Sequence, residues 1–320
     1  MISQENEEFK PSGRIIARGF FDFSTDFDKE TGFDITRAFL GYEYDITKNL
    51  SAQVVVDGAA GTDKDHRLEI YVRNAFLNWN DKNFNINVGL IGLLQFSTQE
   101  DYWAHRYVLR SFQDLNKMAP SVDLGFTVEH KFSDLISADV SFTNGTGYKD
   151  VRKTGSKRYA GGLNVHPFKN ALFRVYGDIY NDSKELRDEL PENVLIADFK
   201  NQYTLSLFAG YQNDLFSFGG EYNRVFNKGF IEDKDFYGVS FYATVNFLPK
   251  WNAYVRYDLA DSAMPSTFIE QWSDLDGQLV MGGVEFRPLK QLKISPNFRN
   301  INPDRGESEQ YLFVNLEFNL

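Results

Sequence analysis

The chain contains no cysteine in its 320 residues. That excludes disulfides, thiolate metal sites and cysteine nucleophiles. It also has no apolar run near the ~18 residues that a membrane helix requires. The longest apolar-plus-glycine stretch is only Val88–Leu94. A basic excess is missing: Lys and Arg number 34 against 45 Asp and Glu, which leaves −11. Generic nucleic-acid binding expects a basic footprint, so no nucleic-acid partner is expected. Helical periodicity is nearly absent.

Several chemistries are missing with them. The four histidines are His66, His105, His130 and His166. None shows metal-ligand spacing. His166, before Pro167, and His130, at a strand end, read as interfacial residues. His66 and His105 are placed to reach the outer rim, where no nucleophile can be paired with them. Asn144-Gly-Thr-Gly147 lacks the Gly-Lys-Ser/Thr ending of a phosphate loop and reads as a loop tip. Neither a cofactor, a metal nor a catalytic residue is expected.

What the chain does have is aromatic side chains. They make up 16% of it, with 30 Phe, 17 Tyr and 4 Trp, although the mean hydropathy is −0.42. Period-two alternation resolves that contrast. In Asp235–Phe247, Tyr237, Val239, Phe241, Ala243, Val245 and Phe247 alternate with polar or small residues. In Trp251–Leu259, Ala253, Val255 and Tyr257 alternate with Asn252, Tyr254, Arg256 and Asp258. Successive strand residues point to opposite faces, so each run has one greasy and one polar face.

Sixteen such runs lie between about 13–25 and 309–320. Seven short turns and eight longer polar loops alternate between them. That rhythm predicts an all-β fold: a 16-stranded antiparallel transmembrane β-barrel with short periplasmic turns and long extracellular loops. Residues 1–12 read as an N-terminal polar segment and 13–320 as a single barrel. A soluble sandwich or propeller is the competing all-β reading. A propeller should show repeats of roughly 40–50 residues, and none is found. Aromatic rings crowd the strand ends, as at Trp79, Phe84, Phe132, Phe168, Phe247, Trp251 and Phe286. Such rings suit interfacial girdles facing outer-membrane lipid. The segment Met1–Glu8 shows no signal peptide. A mature form with that signal removed, destined for the bacterial outer membrane, is the expectation, with a cytosolic protein as the other option. The final ten residues alternate to the end, which suggests that the last strand closes the barrel.

Alternation also assigns a lumen face. It points Arg14, Arg18 and Asp22 inward, then Arg37 and Glu43, then Glu69 and Arg73. Late in the chain Arg256, Asp258, Glu285, Arg287, Lys293, Arg299 and Glu317 fall on polar faces. A lipid-facing arginine near the midplane costs ~2–4 kcal/mol, so these residues should line water. Barrel closure then joins the early and late groups into one basic wall of Arg14, Arg18, Arg37, Arg73, Arg256, Arg287, Lys293 and Arg299. Pairing of inward arginine with inward carboxylate across strands is the bland reading of the same residues. The longest loop, Ser97–Ser121, carries Tyr102, Trp103, Tyr107, Val108 and Leu109, too apolar for a freely solvated loop. It occupies the position of the third long loop, which in known outer-membrane barrels of this kind folds into the lumen, and that likeness implies the same here. Glu100, Asp101 and Asp114 would then oppose the basic wall, with Arg106 and Arg110 adding anion-binding charge. Packing of this loop on the outer rim or on a neighbouring subunit is the alternative.

Three stretches resemble the phosphate-selective porin O/P family of outer-membrane porins. They are Phe33-Asp-Ile-Thr-Arg-Ala-Phe-Leu-Gly-Tyr-Glu43, Val72-Arg-Asn-Ala-Phe-Leu-Asn-Trp79, and Val88-Gly89 through Phe96-Ser97 to Ala119-Pro120 and Leu124-Gly125. The likeness covers roughly residues 13–130. It implies a porin barrel and a homotrimer. The expected function is passive diffusion of small hydrophilic solutes or ions. The alternatives are a substrate-specific anion channel of the phosphate type, and an outer-membrane β-barrel enzyme or adhesin.

Overall fold

The computed structural model describes residues 9–27, 30–60, 68–188, 199–263, 273 and 275–320. His66 lies outside them. Within the described residues sixteen antiparallel strands close into one barrel. They are β1 (Ser12–Thr25), β2 (Thr31–Asp45), β3 (Leu50–Ala60), β4 (Leu68–Asn80), β5 (Phe84–Gly92), β6 (Val122–Lys131), β7 (Ile136–Thr143) and β8 (Arg158–Val165). The second half is β9 (Ala171–Tyr180), β10 (Gln202–Gln212), β11 (Phe216–Phe226), β12 (Phe236–Leu248), β13 (Trp251–Ser262), β14 (Gly277–Leu289), β15 (Leu292–Pro303) and β16 (Glu309–Asn319). Each strand pairs with its sequence neighbours, and β1 meets β16 from Arg18↔Asn319 to Thr25↔Leu312. The sheet therefore has no free edge. The seven short connections, all within the described residues, gather at one end, and the strand ends that the eight longer segments join lie at the other.

The two faces differ as the alternation requires. Outside stand Ile15, Leu40, Ile70, Phe241 and Val255, the last 59% exposed. Inside, Ser240, Ser295 and Asn315 are fully buried. At the short-turn end Trp251 stacks on Phe286 with centroids 4.4 Å apart, and Phe84 stacks on His130 at 4.1 Å. Rings at this level form the girdle expected of a barrel in lipid.

Two irregularities re-aim side chains. The β1–β2 register shifts between Phe20 and Phe21, so Ile35 pairs with Phe21 and Arg37 with Phe20. Thr36 is the extra residue. Phe33 and Ile35 thus face outward while Arg37 still faces in. The β3–β4 register shifts between Val55 and Val56, leaving Arg73 as the extra residue between Val72 and Asn74. A bulge bends its strand and presents one residue more than the ladder allows. Both bulges place an arginine on the same stretch of inner wall.

Refolding into lipid bilayers tests the outer face. Val255→Arg should lower folding stability by about 2–4 kcal/mol in denaturant titrations. Ser295→Ala, on the inner face of β15, removes one hydroxyl–hydroxyl bond to Tyr254 and should change it by no more than about 1 kcal/mol. Equal effects at the two positions would sink the two-faced assignment.

Candidate functional site: a loop clamped inside the barrel

The connection from β5 to β6 runs through α1 (Leu94–Trp103) and a short turn, α2 (Phe112–Leu115). It folds into the lumen. Trp103, Tyr107, Val108, Phe112 and Met118 are all buried, and Trp103 is only 1% exposed. Burying an indole covers ~200 Å², an upper contribution on the order of 5 kcal/mol at ~25 cal/mol/Å². Trp103 meets Tyr242 of β12 and Tyr254 of β13, edge-on to the latter at 5.7 Å. Ala104 ends α1 in the left-handed region, with φ 58°. That turn aims His105 at the same wall that Trp103 packs on.

One carboxylate of β14 then fixes the loop. Glu285 is fully buried and accepts from Tyr107 Oη at 2.8 Å and from Asn252 Nδ2 at 2.9 Å. It also pairs with Arg287 and lies 3.1 Å from His105 Nδ1. His105 Nε2 is 3.0 Å from Thr244 Oγ1, and its ring stacks on Tyr254 at 4.1 Å. A neutral imidazole satisfies both contacts, with Nδ1–H donating to Glu285 and Nε2 accepting from Thr244. Burial pulls the His105 pKa below its ordinary value, against the opposing pull of Glu285. His105 is thus inside the lumen and not at the outer rim expected from sequence. The clamp around it, not exposure, determines its position.

The basic residues fall into three groups. Arg256 and Arg299 are covered by the loop and not open to water. Arg256 Nη1 donates to the Arg110 carbonyl at 2.6 Å, and Arg299 Nη2 to the Val108 carbonyl at 2.8 Å. Arg256 is also forked onto Asp258. A second group shares carboxylates along the closure. Arg18 and Lys293 both bond Glu317, at 2.5 and 2.7 Å, while Arg14 pairs with Glu43 and Arg287 with Glu285. Closure does bring early and late basic residues together, but each arrives with an acid.

The third group is Arg37 and Arg73, which the bulges present. Arg37 lies 3.4 Å from Asp57, and both guanidinium groups lie over the Phe39 ring, at 5.6 and 5.4 Å. Arg73 bonds Asn74 and has no carboxylate within ion-pair distance among the described residues. It sits within electrostatic reach of Arg37 and of Arg106 on the loop. Arg106 in turn holds Glu100 at 2.9 Å and Asp114 at 2.7 Å. Burial opposes the Arg106 charge, but those two carboxylates more than offset it, so its pKa lies above the ordinary value. Asp101 and the Arg110 side chain are exposed on the same loop.

Two functional contributors were not anticipated. Tyr148, from the β7–β8 loop, reaches Asp57 with its hydroxyl at 2.9 Å and lies edge-on to Tyr71 at 6.2 Å. Its loop is held down by Asp123, whose fully buried carboxylate accepts the backbone N–H groups of Gly145 and Gly147. Both glycines have positive φ, 87° and 83°, a conformation that side-chain-bearing residues seldom adopt. The Gly-Thr-Gly segment is therefore an inward anchor. An inward Asp ahead of a Gly-x-Gly turn was the available signal.

The barrel is similar in fold to solved outer-membrane proteins, porins among them. Similar solved structures include OmpF of Salmonella typhi in complex with daunomycin, with a TM-score of 0.71 at 12% identity and 97% of each chain covered. OprB of Pseudomonas putida scores 0.71 at 9% identity, covering 96% of this chain and 94% of that one. An anion-selective porin from Comamonas acidovorans scores 0.69 at 10% identity, covering 97% and 100%. No family model and no curated protein matches the chain. At these identities the likeness is one of fold.

Glu285→Ala should release the clamp. Removing this carboxylate leaves the buried donors of Tyr107, His105 and Asn252 without their acceptor, at about 1–3 kcal/mol each. The amides of Val108 and Leu109, both bonded to the His105 carbonyl, should then exchange with deuterium at least ~100-fold faster. Asn252→Ala removes one donor but leaves the carboxylate its other partners, so it should accelerate them less than Glu285→Ala does. Unchanged protection in Glu285→Ala would show that the loop is held elsewhere.

Proposed function

We propose that the protein is a bacterial outer-membrane channel through which small hydrophilic solutes or ions diffuse passively. The observation that carries this is a closed barrel, apolar outside and charged inside, with a loop clamped within its lumen. Such a lumen sorts solutes by size and charge. The reading involves no covalent chemistry and no cofactor. A homotrimer belongs to it, supported by the resemblance in sequence and by the trimer form of OmpT of Vibrio cholerae, a similar fold.

Charge selectivity is assigned to two facing patches. On the wall, Arg37 and Arg73 stand beside a single carboxylate, Asp57, which Arg37 holds. On the loop, Arg106 is shared by Glu100 and Asp114, with Asp101 beside them. Excess positive charge thus faces excess negative charge. Of the wider basic wall, Arg14, Arg18, Arg287 and Lys293 are each paired and contribute less. An anion-specific channel is the second reading, favoured by Arg73, which has no carboxylate within ion-pair distance among the described residues, and by the fold shared with a porin described as anion-selective.

Planar-bilayer recording tests both readings. The native chain should give ohmic single-channel steps in KCl, and no conductance after reconstitution sinks the proposal. The double variant Arg37→Ser, Arg73→Ser should move the reversal potential toward cation preference. An unchanged reversal potential would remove these residues from the selectivity patch. Conductance that saturates with phosphate but not with chloride would favour the anion-specific reading.

A further inference from the structure

The wall of β4 to β8, toward the short-turn end, differs in kind from the arginine patch. Its inward residues are amides and hydroxyls bonded in series. Asn78 Nδ2 donates to Asn85 Oδ1 at 2.5 Å and to Asn87 Oδ1 at 2.9 Å. Asn85 Nδ2 donates to Glu129 Oε1 at 2.8 Å, and Asn87 Nδ2 to Thr127 Oγ1 at 3.2 Å. Farther round, Asn164 Nδ2 donates to Ser137 Oγ at 3.3 Å. The fixed charges nearby are matched. Arg174 grips Asp139 with both terminal nitrogens, at 2.5 and 3.0 Å. Gly162 makes room for it, since a Cβ there would lie 2.4 Å from Nη2.

Part of this wall lines a cavity of about 770 Å³ that opens at the short-turn end. Asn85, Glu129, Ser137 and Asn164 bound it, and Phe84 and Phe168 stand at its rim. Its three lysines, Lys82, Lys131 and Lys169, are balanced by Asp81, Glu129 and Asp134. The cavity is therefore close to neutral. Its volume falls within the ~300–1,000 Å³ of small-molecule sites.

We infer that this cavity is a subsite for neutral polyhydroxylated solutes, of mono- or disaccharide size. The inference rests on the channel reading above and names a solute class for it. A sugar hydroxyl both donates and accepts, and so does an amide or hydroxyl side chain. Asn85, Glu129, Ser137 and Asn164 are all half-buried, accessible yet fixed by their mutual bonds. A wall without net charge gives an ion little reason to stop, whereas a polyol can exchange its water hydrogen bonds for these. The site must also bind weakly, because a conducting pore has to release what it holds.

Current block reads this directly. The full chain is reconstituted in a planar bilayer in KCl, and sucrose, glucose or gluconate is added on the short-turn side. Sucrose and glucose should block the current saturably, with half-block in the millimolar range. Gluconate, which carries a carboxylate, should block less. Asn85→Leu and, separately, Asn164→Leu should each raise the sucrose half-block concentration roughly tenfold, the loss of one or two hydrogen bonds. Native heat-modifiable gel migration should show that both variants still fold. Sugars that pass in order of size alone, without saturable block, overturn the inference. Half-block values unchanged in both variants overturn it as well. In either case a persisting KCl current leaves the channel reading intact. Absence of any KCl current overturns the channel reading and this inference together.

Discussion

Backbone hydrogen bonding in an apolar surround is the constraint on which the rest of the structure depends. A strand facing lipid cannot leave its N–H and C=O groups unpaired, because each orphan costs several kcal/mol. Every strand must therefore have two neighbours, and β1 must find β16. Once the sheet is closed, side-chain alternation has only one reading. One set of residues faces hydrocarbon and the other faces the enclosed space. The polar average composition follows from summing the two.

Closure also creates a problem for the interior. Sixteen strands surround more space than their own side chains fill, and the inward set is rich in charge. The loop between β5 and β6 answers this on one side. It brings Trp103, Tyr107 and Phe112 to the wall that runs from β9 through β16 to β1 and supplies carbonyls for Arg256 and Arg299. Glu285 is where these demands meet, since one buried carboxylate receives donors from both loop and barrel. On the other side, Arg37 and Arg73 keep their charge within reach of Arg106. The same segment therefore packs as core on its back and presents charge on its front.

The parts of this arrangement legible in sequence are those set by local periodicity. Val255 outward and Arg256 inward follow from alternation alone. So does the count of turns and loops, because sixteen strands of alternating direction need fifteen connections, eight at one end and seven at the other. The apolar loop residues Trp103 and Tyr107 announced burial, since solvent would not retain them. What alternation cannot show is which groups a folded loop covers. Arg256 and Arg299 carry the same inward signature as Arg37, yet two of the loop's backbone carbonyls separate them from water. His105 looked like a rim residue because sequence places it in a loop, and the loop's path is a tertiary fact. Tyr148 was equally hidden, for its contact with Asp57 spans ninety-one positions.

The acidic net charge can now be weighed by place. Many of the inner carboxylates already have a cation: Glu317 has two, Asp258 has Arg256, and Asp139 has Arg174. These pairs cancel at short range, and what a passing solute meets is the remainder. On the proposed channel reading that remainder is Arg73 on the wall, and on the loop the second acid of the Arg106 pair and Asp101, less the charge of Arg110. At ~8 Å of Debye screening in physiological salt, only charges this near to the path act strongly on an ion. The chain's −11 is therefore a poor guide to selectivity. The two register shifts that present Arg37 and Arg73 matter more than the total.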